Sequence, residues 1–170
     1  MAFDRDDHPD RFTDAQRAGL DVRQADHDRT LAAMHELEAA LASAAPGRET
    51  AWRNAVLGAL DILDGATSAE EANARRADSL LSDIERTQPR LRNRVRGVRA
   101  QYRQLRGSLT SLRRELAEPG SSAVDFADLR QRLAWLLTAL RHQRARESDL
   151  IYEAYYEAFR RDIEEDARPR

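Results

Sequence analysis

From Leu91 to Leu116 an apolar or aromatic residue recurs every three or four positions: Leu91, Val95, Val98, Tyr102, Leu105, Leu109, Leu112 and Leu116. The steps alternate four and three without a break, the signature of a helix packed along its whole length against partners. Pro89 suits the first turn of that helix, and Pro119-Gly120 ends it. Three other stretches carry helical spacing. From about Asp21 to Ala44 the inward positions are Leu20, His27, Leu31, Met34, Glu38 and Leu41, and Pro46-Gly47 closes the segment. A second helix, with Thr50 as its expected N-cap, turns Trp52, Val56, Ala59, Leu63, Ala66 and Glu70 inward and runs to about Arg76. Gly65 is a weak point in its middle. The last helix runs from about Val124 to Ile163, introduced by Ser122 and Asp125 in a capping-box arrangement. It buries Phe126, Leu129, Leu133, Leu136, Leu140, Gln143, Glu147, Ile151 and Ala154.

A short stretch from Asp78 to Arg86, with Leu80, Leu81 and Ile84, reads as a small connecting helix between helices 2 and 3. No segment alternates with period two, so strands are not expected. Four long amphipathic helices with short connections predict an all-α fold, an antiparallel up-down four-helix bundle spanning residues 19–165. Residues 1–18 read as a flexible acidic tail with a short helix from Asp14, and 166–170 as a second flexible tail.

The stripes are interrupted by polar groups. At about 100° per residue, His27 falls near the middle of its apolar face, whereas His142 points away from the face that Gln143 and Glu147 share. His35 lies near a boundary and His8 in the tail. Counted from the turns, His27 is level with Glu70, and Tyr102 nearly level with Gln143. One layer of the bundle is thus expected to hold a histidine, one or two glutamates, a tyrosine and a glutamine. Burying carboxylates costs several kcal/mol, on the order of 3–5 when one is left unpaired, so such a layer hosts either a site or a closed hydrogen-bond network.

Composition narrows the chemistry. With 170 residues and 34% charged residues the chain fits one domain rich in amphipathic helix. It has no cysteine, which excludes disulfides and thiolate metal sites. The net charge of -2 gives no general attraction to nucleic acid or membrane. No apolar run approaches a membrane span, Met1 to Asp10 has no signal-peptide core, and the expected address is the cytoplasm. There is no phosphate loop, nucleophile elbow or His-Glu-x-x-His motif, and a non-enzymatic role is expected. All basic residues are arginine, ten of them between Arg86 and Arg114 with no acid among them. That run reads first as a solvated face paired with acids such as Asp61, Asp64, Glu153 and Glu157, and second as a surface for a protein or anionic partner. Tyr152, Tyr155, Tyr156 and Phe159 pack the bundle end or form a dimer contact, so the chain is expected as a monomer or homodimer.

Three stretches resemble the bacterial hemerythrin-like (HHE cation-binding) domains: Asp26 to Glu38 (DHDRTLAAMHELE), Asp78 to Ile84 (DSLLSDI) leading to Pro89-Arg90-Leu91, and Leu140 to Tyr155 (LRHQRARESDLIYEAY). The third is the most specific. The resemblance spans about Asp26 to Tyr156 and implies a non-haem metal centre between four helices, used for oxygen carriage, oxygen or redox sensing, or iron handling. His27 matches the first-helix ligand and Glu147 the last-helix acid. Where the family places histidines on helices two, three and four, this chain has Glu70, Tyr102 and Gln143. With four histidines in all, a five-histidine di-iron site cannot be assembled. The resemblance therefore implies a remodelled or lost site whose candidate ligands are His27, Glu70, Tyr102 and Glu147, with iron, manganese or zinc as the ion. The alternative is a metal-free network of the same residues in a helical interaction module. A di-metal oxidoreductase is a third reading, short of inward ligands.

Overall fold

The computed structural model describes residues 11–43, 47–118 and 126–167, and among them every regular element is helical. There are six α-helices: α1 (Asp14–Ala42), α2 (Glu49–Ala74), α3 (Leu80–Thr87), α4 (Arg92–Ala117), α5 (Phe126–Ala154) and α6 (Tyr156–Asp166), with a 3-10 turn, Pro89–Leu91, leading into α4. Pro46, Pro119-Gly120 and the Ser122/Asp125 pair lie outside the described residues, as do 1–10 and 168–170.

The first helix starts earlier than its apolar spacing suggests. Thr13 accepts from the Gln16 amide while the Gln16 side chain accepts from the Thr13 N–H, a capping box that satisfies two otherwise free donors. Phe12, just before the cap, is buried against Tyr155 and Phe159, with ring centroids 5.6 and 4.8 Å away. The packed structure therefore begins before residue 19. The buried face of α1 is Asp26, Thr30, Ala33, Met34, Leu37 and Leu41. Leu31 is 40% exposed and Glu38 pairs with Arg141 on the surface, so neither faces the core. Thr30 faces α2, where its hydroxyl donates to Glu70.

In α2 all six expected inward residues are buried, and the helix is continuous through Gly65. It starts at Glu49, with Arg48 in the N-cap position and no side-chain cap, rather than at Thr50. Gly47 precedes it with φ +74°, a left-handed conformation that favours glycine at this turn. The eight-residue stripe from Leu91 to Leu116 is buried throughout. The expected last helix is two helices. At Tyr155 the backbone leaves the helical region (φ -118°, ψ 27°). The Tyr155 hydroxyl donates to Asp83 of α3, and the Gln88 side-chain amide donates to the Ala154 carbonyl. Tertiary partners thus hold the break.

Neighbouring long helices run in opposite directions. Thr30 meets Glu70 while Asp26 meets Asn73; Val98 meets Gln143 while Glu115 meets Arg132; Glu70 meets Tyr102 while Asp64 meets Arg106. Arg23 meets Glu147 while Glu38 meets Arg141, which closes the circuit from α5 to α1. The interior is divided. One apolar cluster, around Met34, Leu60, Leu109 and Leu133, fills the half next to the α1–α2 and α4–α5 connections. A second, around Phe12, Ile84, Val95, Leu150 and Tyr155, fills the half beneath α3 and α6. No helix among the described residues is long and apolar enough to cross a membrane.

Candidate metal centre

Between the two apolar clusters lies a polar layer. His27 from α1, Glu70 from α2 and Glu147 from α5 converge there. Each stands on the buried stripe of its helix, so packing the apolar residues one turn away brings the polar ones together. His27 Nε2 is 3.4 Å from Glu70 Oε1 and 3.9 Å from Glu147 Oε2. Nε2 is buried and lies within ion-pair distance of both carboxylates, without the alignment of a close hydrogen bond. The three ligand atoms lie within 4.8 Å of one another.

Both carboxylates are held from behind. Glu70 Oε2 accepts from the Thr30 hydroxyl at 2.6 Å and the Tyr102 hydroxyl at 3.1 Å, with Arg144 Nη1 at 3.7 Å. Its other oxygen is thereby turned toward His27. Glu147 Oε1 takes Arg23 Nε at 3.3 Å, and Arg23 is itself steadied by Ser148 at 2.7 Å. Arg144 also donates to the His27 carbonyl at 2.7 Å. Burial pushes the Glu147 carboxyl up, but His27 and Arg23 outweigh it and hold it below the usual carboxylate range.

Tyr102 lies in this layer, but its hydroxyl serves Glu70 and also approaches the Thr67 carbonyl at 3.3 Å. Burial, then the Glu70 charge, push the phenol well above its ordinary value. Its hydroxyl is a donor that orients Glu70. Gln143 is buried and donates to the Val98 carbonyl at 3.0 Å. His35 and His142 are exposed, and His8 lies outside the described residues.

Sequence reasoning passed over Arg23, Thr30, Arg144 and Asp26. A signal for them existed: Arg23 is one turn before His27, Thr30 three residues after it, and Arg144 three residues before Glu147, all on site-facing sides. Asp26 is buried between Asn73 and Arg29, each donating at 2.9 Å. Beside the triad a cleft of about 380 Å³ opens between α1, α2, α3 and α5, with Glu70 and Glu147 both on its wall.

His27 Nε2 and one oxygen from each carboxylate, drawn from three helices and backed by hydrogen-bonded outer partners, form a group that could hold a metal ion. The arginine run has another use. Arg86, Arg90, Arg94, Arg96, Arg99, Arg106 and Arg113 pair with Asp83, Glu153, Glu85, Asp64, Glu71 and Asp61. Their charge is largely neutralised within the fold, and Glu157 pairs with Arg160 instead. No protein-family model, curated protein or solved structure matches the chain.

Proposed function

We propose that this chain is a non-enzymatic, hemerythrin-like four-helix bundle whose remodelled centre binds a single transition-metal ion through His27, Glu70 and Glu147. A cytoplasmic address, read from the sequence, goes with this proposal. The observation that carries it is the convergence of His27 Nε2, Glu70 and Glu147 from three helices, with one ligand atom of each within 4.8 Å of the others. Glu70 is the side chain at which the remodelling is clearest, because a carboxylate takes a position where the resembled family has histidine.

The centre would hold an ion by charge and orientation, and the ion would supply Lewis acidity or redox sensitivity there. Thr30, Tyr102 and Arg23 keep the carboxylates in place. One ion, three protein donors and a neutral tyrosine favour sensing or storage of the ion over oxygen carriage. The metal-free interaction module is the weaker reading, since the arginines it would use are mostly paired.

Elemental analysis of protein purified without chelator tests the proposal. The expected result is close to one equivalent of iron, manganese or zinc, lost in His27→Ala and Glu70→Ala. No stoichiometric metal, together with an unshifted melting temperature on metal addition, would remove it.

A further inference from the structure

The polar layer carries cations of its own. Glu70 has Arg144 at 3.7 Å and Glu147 has Arg23 at 3.3 Å, so the formal charges of these four side chains sum to zero. The two arginines are placed differently. Arg23 lines the cleft and is anchored on Glu147 and Ser148. A charge that opens to solvent is screened, a buried one much less. Arg144 stands on α5 away from the cleft wall, with a side chain only 14% exposed. Its Nη2 donates to the His27 carbonyl at 2.7 Å, and its buried Nη1 makes no hydrogen bond.

Arg144 is thus tied to the backbone of one candidate ligand and faces the carboxylate of another. It gives Glu70 charge and little orientation, because Thr30 and Tyr102 supply the hydrogen bonds that position that carboxylate. A guanidinium stays protonated in a protein, so the charge is permanent. A cation entering between His27, Glu70 and Glu147 would meet it beside one of its own ligands, and the tether to the His27 carbonyl holds it there. Like charges in a partly buried layer repel more strongly than in water.

We infer that Arg144 is an affinity-setting residue of the centre: its fixed positive charge beside Glu70 holds down the affinity of the His27–Glu70–Glu147 site for a divalent cation, so that the ion is bound reversibly. The inference rests on the metal-binding reading above and narrows it. A centre weakened from within suits exchange with a pool of free ion rather than permanent retention of a structural one.

The test is zinc affinity of the full chain, measured by competition with a chromophoric chelator. Arg144→Gln and Arg144→Met remove the charge, and Arg144→Lys keeps it while changing the shape. Arg141→Gln, at an exposed position one turn earlier that pairs with Glu38, controls for the change in net charge. Both neutral variants are expected to bind zinc about tenfold or more tightly than wild type, the effect of lifting a unit charge near a divalent ion at an effective dielectric of about 20. Arg144→Lys and Arg141→Gln should stay within about threefold of wild type. A merely structural Arg144 would lower the melting temperature when replaced and leave zinc affinity unchanged or weaker. Neutral variants that bind zinc no more tightly than wild type, or a lysine variant that tightens as much as they do, would overturn the inference and leave the metal centre standing. Neutral variants that both fail to fold beside a folded lysine variant would make Arg144 an anchor, and overturn it too. A chain that binds zinc in none of these forms would overturn both readings.

Discussion

Tyr102→Phe isolates the support given to Glu70. The hydroxyl is in a residue only 8% exposed and donates to Glu70 Oε2 at 3.1 Å. Removing it deletes a hydrogen bond to a charged acceptor, an interaction typically contributing about 1.5–3 kcal/mol. The carboxylate is not orphaned, since Thr30 still donates at 2.6 Å and Arg144 stays at 3.7 Å. The substitution also relieves the phenol of its own burial cost, and the void is a single oxygen. The lower end of the range applies, about 1.5 kcal/mol, which for a domain of this size lowers Tm by roughly 3–6 °C. Urea denaturation followed by far-UV circular dichroism measures it, with the m-value unchanged from wild type. In the same variant metal affinity should fall by about 10-fold or more, because an outer partner of a ligand has been lost. Stability within 0.5 kcal/mol of wild type, and metal affinity unaltered, would refute the assignment of Tyr102 as the group that orients Glu70.

Other consequences are as direct. Phe12→Ala should destabilise the protein by about 3 kcal/mol, because the ring is buried between Tyr155 and Phe159; a change below 0.5 kcal/mol in urea would return the segment to a free tail. Leu133→Ala, at a fully buried position between the long helices, should cost about 3–4 kcal/mol by the same assay. Glu147 has a folded pKa lowered by His27 and Arg23, so the folded state binds fewer protons than the unfolded chain and the contribution is complete above the unfolded value of about 4.3. That contribution is lost as pH falls through the lowered folded value. Stability of metal-free wild type against pH should therefore drop on the acid side, and Glu147→Gln should flatten that limb; an identical acid limb in both would contradict the assignment.

The amphipathic helices were legible because each is a local matter. A residue's place on a helix depends on its spacing from its neighbours, and the Leu91–Leu116 stripe is buried residue for residue. The same geometry made His27, Glu70 and Glu147 conspicuous, since a charged group on an apolar stripe is visible without knowing what it faces. What failed to show was whatever depends on a partner far along the chain. Phe12 and the Thr13 cap were hidden in an acidic stretch, because the aromatic residues that bury Phe12 lie over 140 positions away. Leu31 carried the right spacing but the rotation of α1 against α2 was needed to show it outside.

Helical content and the polar residues set on apolar stripes were therefore determined by the chain on its own, through periods of three and four residues. The break at Tyr155, the pairing of Arg23 and Arg144 with the carboxylates, the hydrogen bond from Tyr102 to Glu70, and the cleft beside the triad were decided by tertiary packing. Each is a relation between surfaces of different helices. Distance and direction across a helix interface are set by how side chains interdigitate, and no spacing within one helix encodes them.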